Sequence, residues 1–93
     1  MISIVRYNYI VQGLVQGVGF RYHVKLEAAK LNLSGFVRNL DNGNVSIEVQ
    51  GDPSVIERFR FAIENDIPHA HITHIYELEL QVIPQDHTFQ IKY

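Results

Sequence analysis

From Ser3 to Gln12 the chain alternates, with Val5, Tyr7, Tyr9 and Val11 on one side and Ile4, Arg6, Asn8 and Ile10 on the other. A two-residue period is that of a half-buried strand. After a loop from Gly13 to Gly19 the period lengthens: Phe20, Val24, Ala28 and Leu31 recur at helical spacing, and alanine and leucine are good helix formers. Asn32 can end this helix, because asparagine tolerates the left-handed conformation better than most residues. Gly35 to Leu40 reads as a second strand. Asp41-Asn42-Gly43-Asn44 predicts a tight hairpin with a type I′ turn at Asn-Gly. In the third strand Val45, Ile47 and Val49 face inward and Ser46, Glu48 and Gln50 outward. Gly51-Asp52-Pro53 breaks the strand and opens a second helix, with Asp52 as N-cap and Pro53 in the first helical position. Val55, Phe59, Ala62 and Ile63 form its apolar stripe, and Pro68 lies beyond its end. A fourth strand is expected from about Ile75 to Val82, with Tyr76, Leu78, Leu80 and Val82 opposite Glu77, Glu79 and Gln81. Pro84-Gln85-Asp86 then turns the chain into a short last strand, Thr88 to Lys92.

The predicted order is βαββαβ plus a short C-terminal strand. Alternating strands imply an antiparallel sheet with one solvated face, and two amphipathic helices must cover the other. This is an α+β sandwich of the ferredoxin-like kind. With 93 residues and no repeat or linker, residues 1–93 are expected to form one domain.

Composition narrows the functions available to such a fold. A formal net charge of -2 disfavours a broad basic surface for nucleic acid or anionic membrane, so anion binding has to come from a local site. Cysteine is absent, which removes disulfides, a thiolate nucleophile and cysteine-ligated zinc. The N-terminus shows no signal-peptide pattern and no segment is long enough to span a bilayer. The expectation is a cytoplasmic monomer that binds neither membrane nor nucleic acid.

The candidate chemistry lies in the loop between the first strand and the first helix. Gly13, Gly17 and Gly19 occur within seven residues, and Arg21 follows at the start of the helix. Glycines let successive N–H groups turn toward one point and form an anion-binding nest, and a helix N-terminus adds further donors and positive partial charge. Arg21 supplies a planar fork matched to two phosphate oxygens. A nucleotide P-loop is excluded, because Gly19-Phe20-Arg21 has neither the lysine nor the hydroxyl that holds magnesium. The dinucleotide fingerprint fails as well, with Tyr22 at the place of its third glycine. Taken alone, the loop is equally a connection rich in glycine for steric reasons, with Arg21 on a solvated helix face.

Two stretches remove that ambiguity. Val11-Gln12-Gly13-Leu14-Val15-Gln16-Gly17-Val18-Gly19-Phe20-Arg21 resembles the first signature of the acylphosphatases. Gly35-Phe36-Val37-Arg38-Asn39, followed by Gly43-Asn44-Val45 and Gly51, resembles the second. The separation of the two signatures, the chain length and the element order match that family too. The resemblance implies hydrolysis of a carboxyl–phosphate mixed anhydride to carboxylate and inorganic phosphate, with no metal or other cofactor. It also implies that the backbone N–H groups of Gln16, Gly17, Val18, Gly19, Phe20 and Arg21, with the Arg21 guanidinium, hold the phosphoryl oxygens, and that Asn39 positions the attacking water. The departures are structural: Asn32 where glycine is common, Phe36 where tryptophan or tyrosine is frequent, and Asn42 where aspartate is usual.

Other features carry less. His69, His71 and His74 cluster before the fourth strand, and imidazole binds zinc or nickel, but no carboxylate or cysteine stands at ligand spacing and a solvated loop is the expectation. His23 is expected on the surface or rim, Asp41 in a turn for its backbone hydrogen bond, and Tyr7 and Tyr9 in the core. The alternative to an enzyme is a non-catalytic ferredoxin-like binding module for RNA or a small ligand. Ser34-Gly35-Phe36-Val37 faintly matches an RNA-binding strand, yet the basic and spaced aromatic residues of such a surface do not follow.

Overall fold

The two residue periods appear as seven elements in the computed structural model, which describes residues 3–93. These are β1 (Val5–Leu14), α1 (Phe20–Lys30), β2 (Ser34–Asn39), β3 (Val45–Gly51), α2 (Pro53–Asn65), β4 (His71–Leu80) and β5 (Phe89–Lys92). The sheet order is β4-β1-β3-β2-β5. β1 lies antiparallel to both β3 and β4, and β2 lies antiparallel to β3. The terminal strand instead joins β2 in parallel, with Val37 opposite Ile91 and Arg38 opposite Lys92.

One face of the sheet is dry. Tyr9, Val11, Val37, Val45, Ile47 and Val49 meet Phe20, Val24 and Ala28 of α1 and Ile56, Phe59 and Ile63 of α2 in one core. Ile56, rather than Val55, is the fully buried residue of the first turn of α2; Val55 packs at the margin. Asp52 caps that helix, accepting from the Ser54 N–H at 2.8 Å, and Asn32 takes the left-handed conformation at φ 55° beyond α1.

Three local expectations are corrected. In the β2–β3 connection only Gly43 has positive φ (94°), so the turn is not type I′. The Gly43 N–H donates to Leu40 O and the Leu40 N–H to Asn44 O, which makes a three-residue loop closed by a left-handed glycine. The Asn42 side chain is occupied in accepting from the Asn44 N–H, which leaves the positive φ to Gly43. β4 begins at His71 rather than near Ile75, because β1 continues to Leu14 and pairs with it through a bulge after Gln12. Its faces follow from register: Glu77 lies beside core residue Tyr9, so Glu77 and Glu79 are on the helix side. Tyr76 and Leu78 are consequently exposed on the open face. The open face is also less solvated than its polar pattern implies. Arg6 is 2% exposed and donates to Glu48, Gln50 and Asp86, while Gln50 exchanges hydrogen bonds with the backbone of Ile83. The segment from Ile83 to Asp86 is thereby held against the sheet, and the buried guanidinium is paired as burial requires.

Tyr7 and Tyr9 stack with ring centroids 6.0 Å apart, and Tyr9 is buried. Burial, with the Glu77 carboxylate adding to it, pushes the Tyr9 phenol up to about 12. The unfolded chain gives up this proton near pH 10, so the stability tied to the neutral phenol is complete below pH 10 and lost as pH rises through about 12. Between pH 9 and pH 11 the stability of the wild type relative to Tyr9→Phe should fall by about 1 kcal/mol. Urea unfolding of the two proteins at both pH values checks this; a constant difference would refute the raised pKa.

Candidate active site

The loop after β1 is shaped by two glycines. Gly17 and Gly19 have φ of 76° and 74°, whereas Val18 between them is not in the positive range. Alternation of this kind turns consecutive N–H groups to the same side. Among the described residues, no protein group accepts a hydrogen bond from the N–H of Gln16, Gly17, Val18, Gly19 or Phe20. Gly19 is also the N-cap of α1 and brings no side chain to cap it, and the first turn contains no acidic residue. The start of α1 therefore keeps its unpaired donors and its positive partial charge for an external anion.

The second sequence motif arrives at the same place through the sheet. Asn39 is the last residue of β2, opposite Val45. It follows buried Val37 by two residues and so shares the helix-covered face. Its Oδ1 is buried and accepts no hydrogen bond. An unpaired buried acceptor is costly, about 1–3 kcal/mol, and such an exception calls for a functional reading. The two motifs are joined directly by Gln16, whose side-chain Nε2 donates to Leu40 O and to Asn44 O, each at 2.8 Å. The Gln16 side chain is thus a tie between the loop and the β2–β3 hairpin, while its backbone N–H, like those of residues 17–20, has no acceptor among the described residues.

A cavity of about 310 Å³ lies between these parts, lined by Gln16, Gly17, Gly19, Phe20, Arg21 and Asn39 among others. Val18 does not line it; its side chain packs against the core. Arg21 is the one charged lining residue, and no aspartate, glutamate or histidine is among them. The Arg21 guanidinium is steadied by the end of the chain: its Nη1 donates to Lys92 O at 3.3 Å, and its Cζ lies 4.7 Å from the centre of the Tyr93 ring. Ile91, Tyr93 and Tyr22 complete the wall. Sequence reasoning does not place these residues at the site. A signal was present in the period of two, since Phe89, Ile91 and Tyr93 fall on one side, but the parallel pairing of β5 with β2 is needed to bring that side to Arg21.

The remaining candidates stay apart from this cavity. His69, His71 and His74 are all exposed, the last two within β4 rather than in a loop. No group of three His, Cys, Asp or Glu residues able to hold a metal ion occurs among the described residues. His23 is half-buried in α1 with its ring near Tyr22, and Asp41 is an exposed turn residue. No helix among the described residues is long and apolar enough to cross a membrane.

Comparison with known proteins bears on the whole chain. The family model described as Acylphosphatase matches residues 7–91. An acylphosphatase of Clostridium beijerinckii is 46% identical over 89 residues, which cover 96% of this chain and 99% of the relative. The crystal structure of acylphosphatase from Bacillus subtilis superposes with a TM-score of 0.90 at 40% identity, covering 96% of this chain and 99% of that one. Full-length HypF in its phosphate- and nucleotide-bound form contains a similar unit, with a TM-score of 0.87 and 32% identity, over 100% of this chain but 12% of that much longer one. The chain therefore belongs to the acylphosphatase family, and is an enzyme that hydrolyses acyl phosphates.

Proposed function

We propose that residues 16–21 and Asn39 carry out this hydrolysis without a metal ion, the whole site being built by one chain acting as a single domain. The N–H groups of Gln16 to Arg21 and the Arg21 guanidinium hold the phosphoryl oxygens. Asn39 Oδ1 accepts a hydrogen bond from the attacking water. The water oxygen forms a bond to phosphorus as the bond from phosphorus to the acyl oxygen breaks, and the acyl group departs as carboxylate. A carboxylate is a good leaving group, so no strong general acid is needed. Phosphoryl transfer is mainly positioning and charge stabilisation, which fixed donors and one arginine supply.

The observation that carries this reading is the buried, unpartnered Oδ1 of Asn39, lining the same cavity as the unpaired loop donors and Arg21. A neutral amide orients water but is a poor base, and no side-chain carboxylate or imidazole lines the cavity. The water proton accordingly passes to a substrate phosphate oxygen. A hard cation such as magnesium prefers oxygen ligands, usually including carboxylates, and no side chain of the lining is a carboxylate. Purified protein should hydrolyse benzoyl phosphate at the same rate with and without excess chelator. Loss of activity on chelation, restored by added magnesium, would overturn the metal-free mechanism.

A further inference from the structure

The cavity lining combines polar groups with the apolar side chains of Ile91, Tyr22 and Tyr93, and the phosphoryl group accounts only for the polar ones. Phe89, Ile91 and Tyr93 run outward along one side of the β5 segment: Phe89 is buried in the core, Ile91 packs at its margin, and Tyr93 is 93% exposed beside Arg21. Ile91 lies opposite Val37, so the continuing register brings Tyr93 level with Asn39. The ring of Tyr93 covers the guanidinium at 4.7 Å and otherwise faces solvent. An aromatic surface left uncovered at the mouth of a site is surface that a ligand can bury. Tyr22, 58% exposed, stands at the same mouth. The only charged side chain in the lining is Arg21, which the phosphoryl group engages. The side chains left for the acyl end of the substrate therefore offer ring and aliphatic atoms and no charge.

We propose that Tyr93 and Ile91 form the wall that receives the acyl group, and that Tyr93 makes the enzyme discriminate in favour of acyl phosphates with aromatic or larger apolar acyl groups over acetyl phosphate. This rests on the phosphate cradle proposed above. Acetyl phosphate presents a methyl group too small to cover the ring, whereas a benzoyl group stacks on it.

The test compares kcat/KM for benzoyl phosphate and acetyl phosphate in the wild type, Tyr93→Ala and Tyr93→Phe. Loss of the ring also releases one support of Arg21, so the alanine variant is expected to be slower with both substrates. The ratio of benzoyl to acetyl phosphate should fall by about fivefold to tenfold in Tyr93→Ala and return to the wild-type value in Tyr93→Phe. Calorimetric titration provides a readout independent of turnover: the alanine variant should weaken benzoylphosphonate binding by about fivefold more than inorganic phosphate binding. An unchanged ratio, with both substrates slowed equally, would mean that Tyr93 acts only through Arg21 and would overturn the acyl wall. Wild-type protein that failed to bind inorganic phosphate would overturn the cradle, and the wall with it.

Discussion

Replacing Arg21 by lysine should lower kcat/KM for benzoyl phosphate by about a thousandfold, although the charge is kept. The reason lies in shape. The guanidinium is planar, is held edge-on by the Lys92 carbonyl and is covered by the Tyr93 ring, which leaves its remaining N–H groups to meet two phosphoryl oxygens together. An ammonium group is a point charge on a flexible stem and reproduces neither the fork nor its supports. The fold should be indifferent, because Arg21 contributes to the wall of the cavity and not to the core. Steady-state kinetics with thermal unfolding as a control measures both effects. Activity within a few-fold of wild type would remove Arg21 from the role assigned to it.

Asn39→Ala should separate rate from affinity. If Asn39 Oδ1 holds water and not phosphate, kcat should fall by about a hundredfold while inhibition by inorganic phosphate changes by less than about twofold. Stability should hold or rise, by up to about 1 kcal/mol, because the substitution removes a buried acceptor that has no partner in the folded protein. A parallel loss of phosphate affinity would make Asn39 a substrate-binding residue. A marked drop in unfolding midpoint would instead make it a structural one.

The glycines of the loop after β1 are legible in the sequence because their backbone demand is local, whereas the phosphate-holding role proposed for that loop follows from family resemblance. Positive φ at positions 17 and 19 requires glycine, and the donors follow directly from the backbone at those positions. Asn39 becomes legible only through family resemblance, since a lone asparagine at the end of a strand has many uses. The core was readable wherever both faces of an element differ in polarity, as in β3. β4 was harder: Ile75 packs against the core, but further along Tyr76 and Leu78 lie on the open face and Glu77 and Glu79 on the helix side, an inversion that an edge strand permits because helices cover it incompletely. Tyr93 and the tie made by Gln16 were out of reach for another reason. Each depends on a contact between segments distant in the chain, Arg21 with Lys92 and Tyr93 in one case, Gln16 with Leu40 and Asn44 in the other. Hydrophobic periodicity has no term for such a contact.

The Gln16 tie bears on how the site tolerates thermal motion. A loop and a hairpin turn at one end of a small sheet would ordinarily fluctuate independently, and their separate displacements would add. Two hydrogen bonds from a single amide to both ends of the β2–β3 connection tie their movements together. The cradle can then shift relative to the body of the protein and carry the hairpin, with Asn39 just ahead of Leu40, along with it. On the proposed assignment of roles, what is kept is the spacing between phosphorus and the water oxygen, an internal coordinate, rather than the position of either in space.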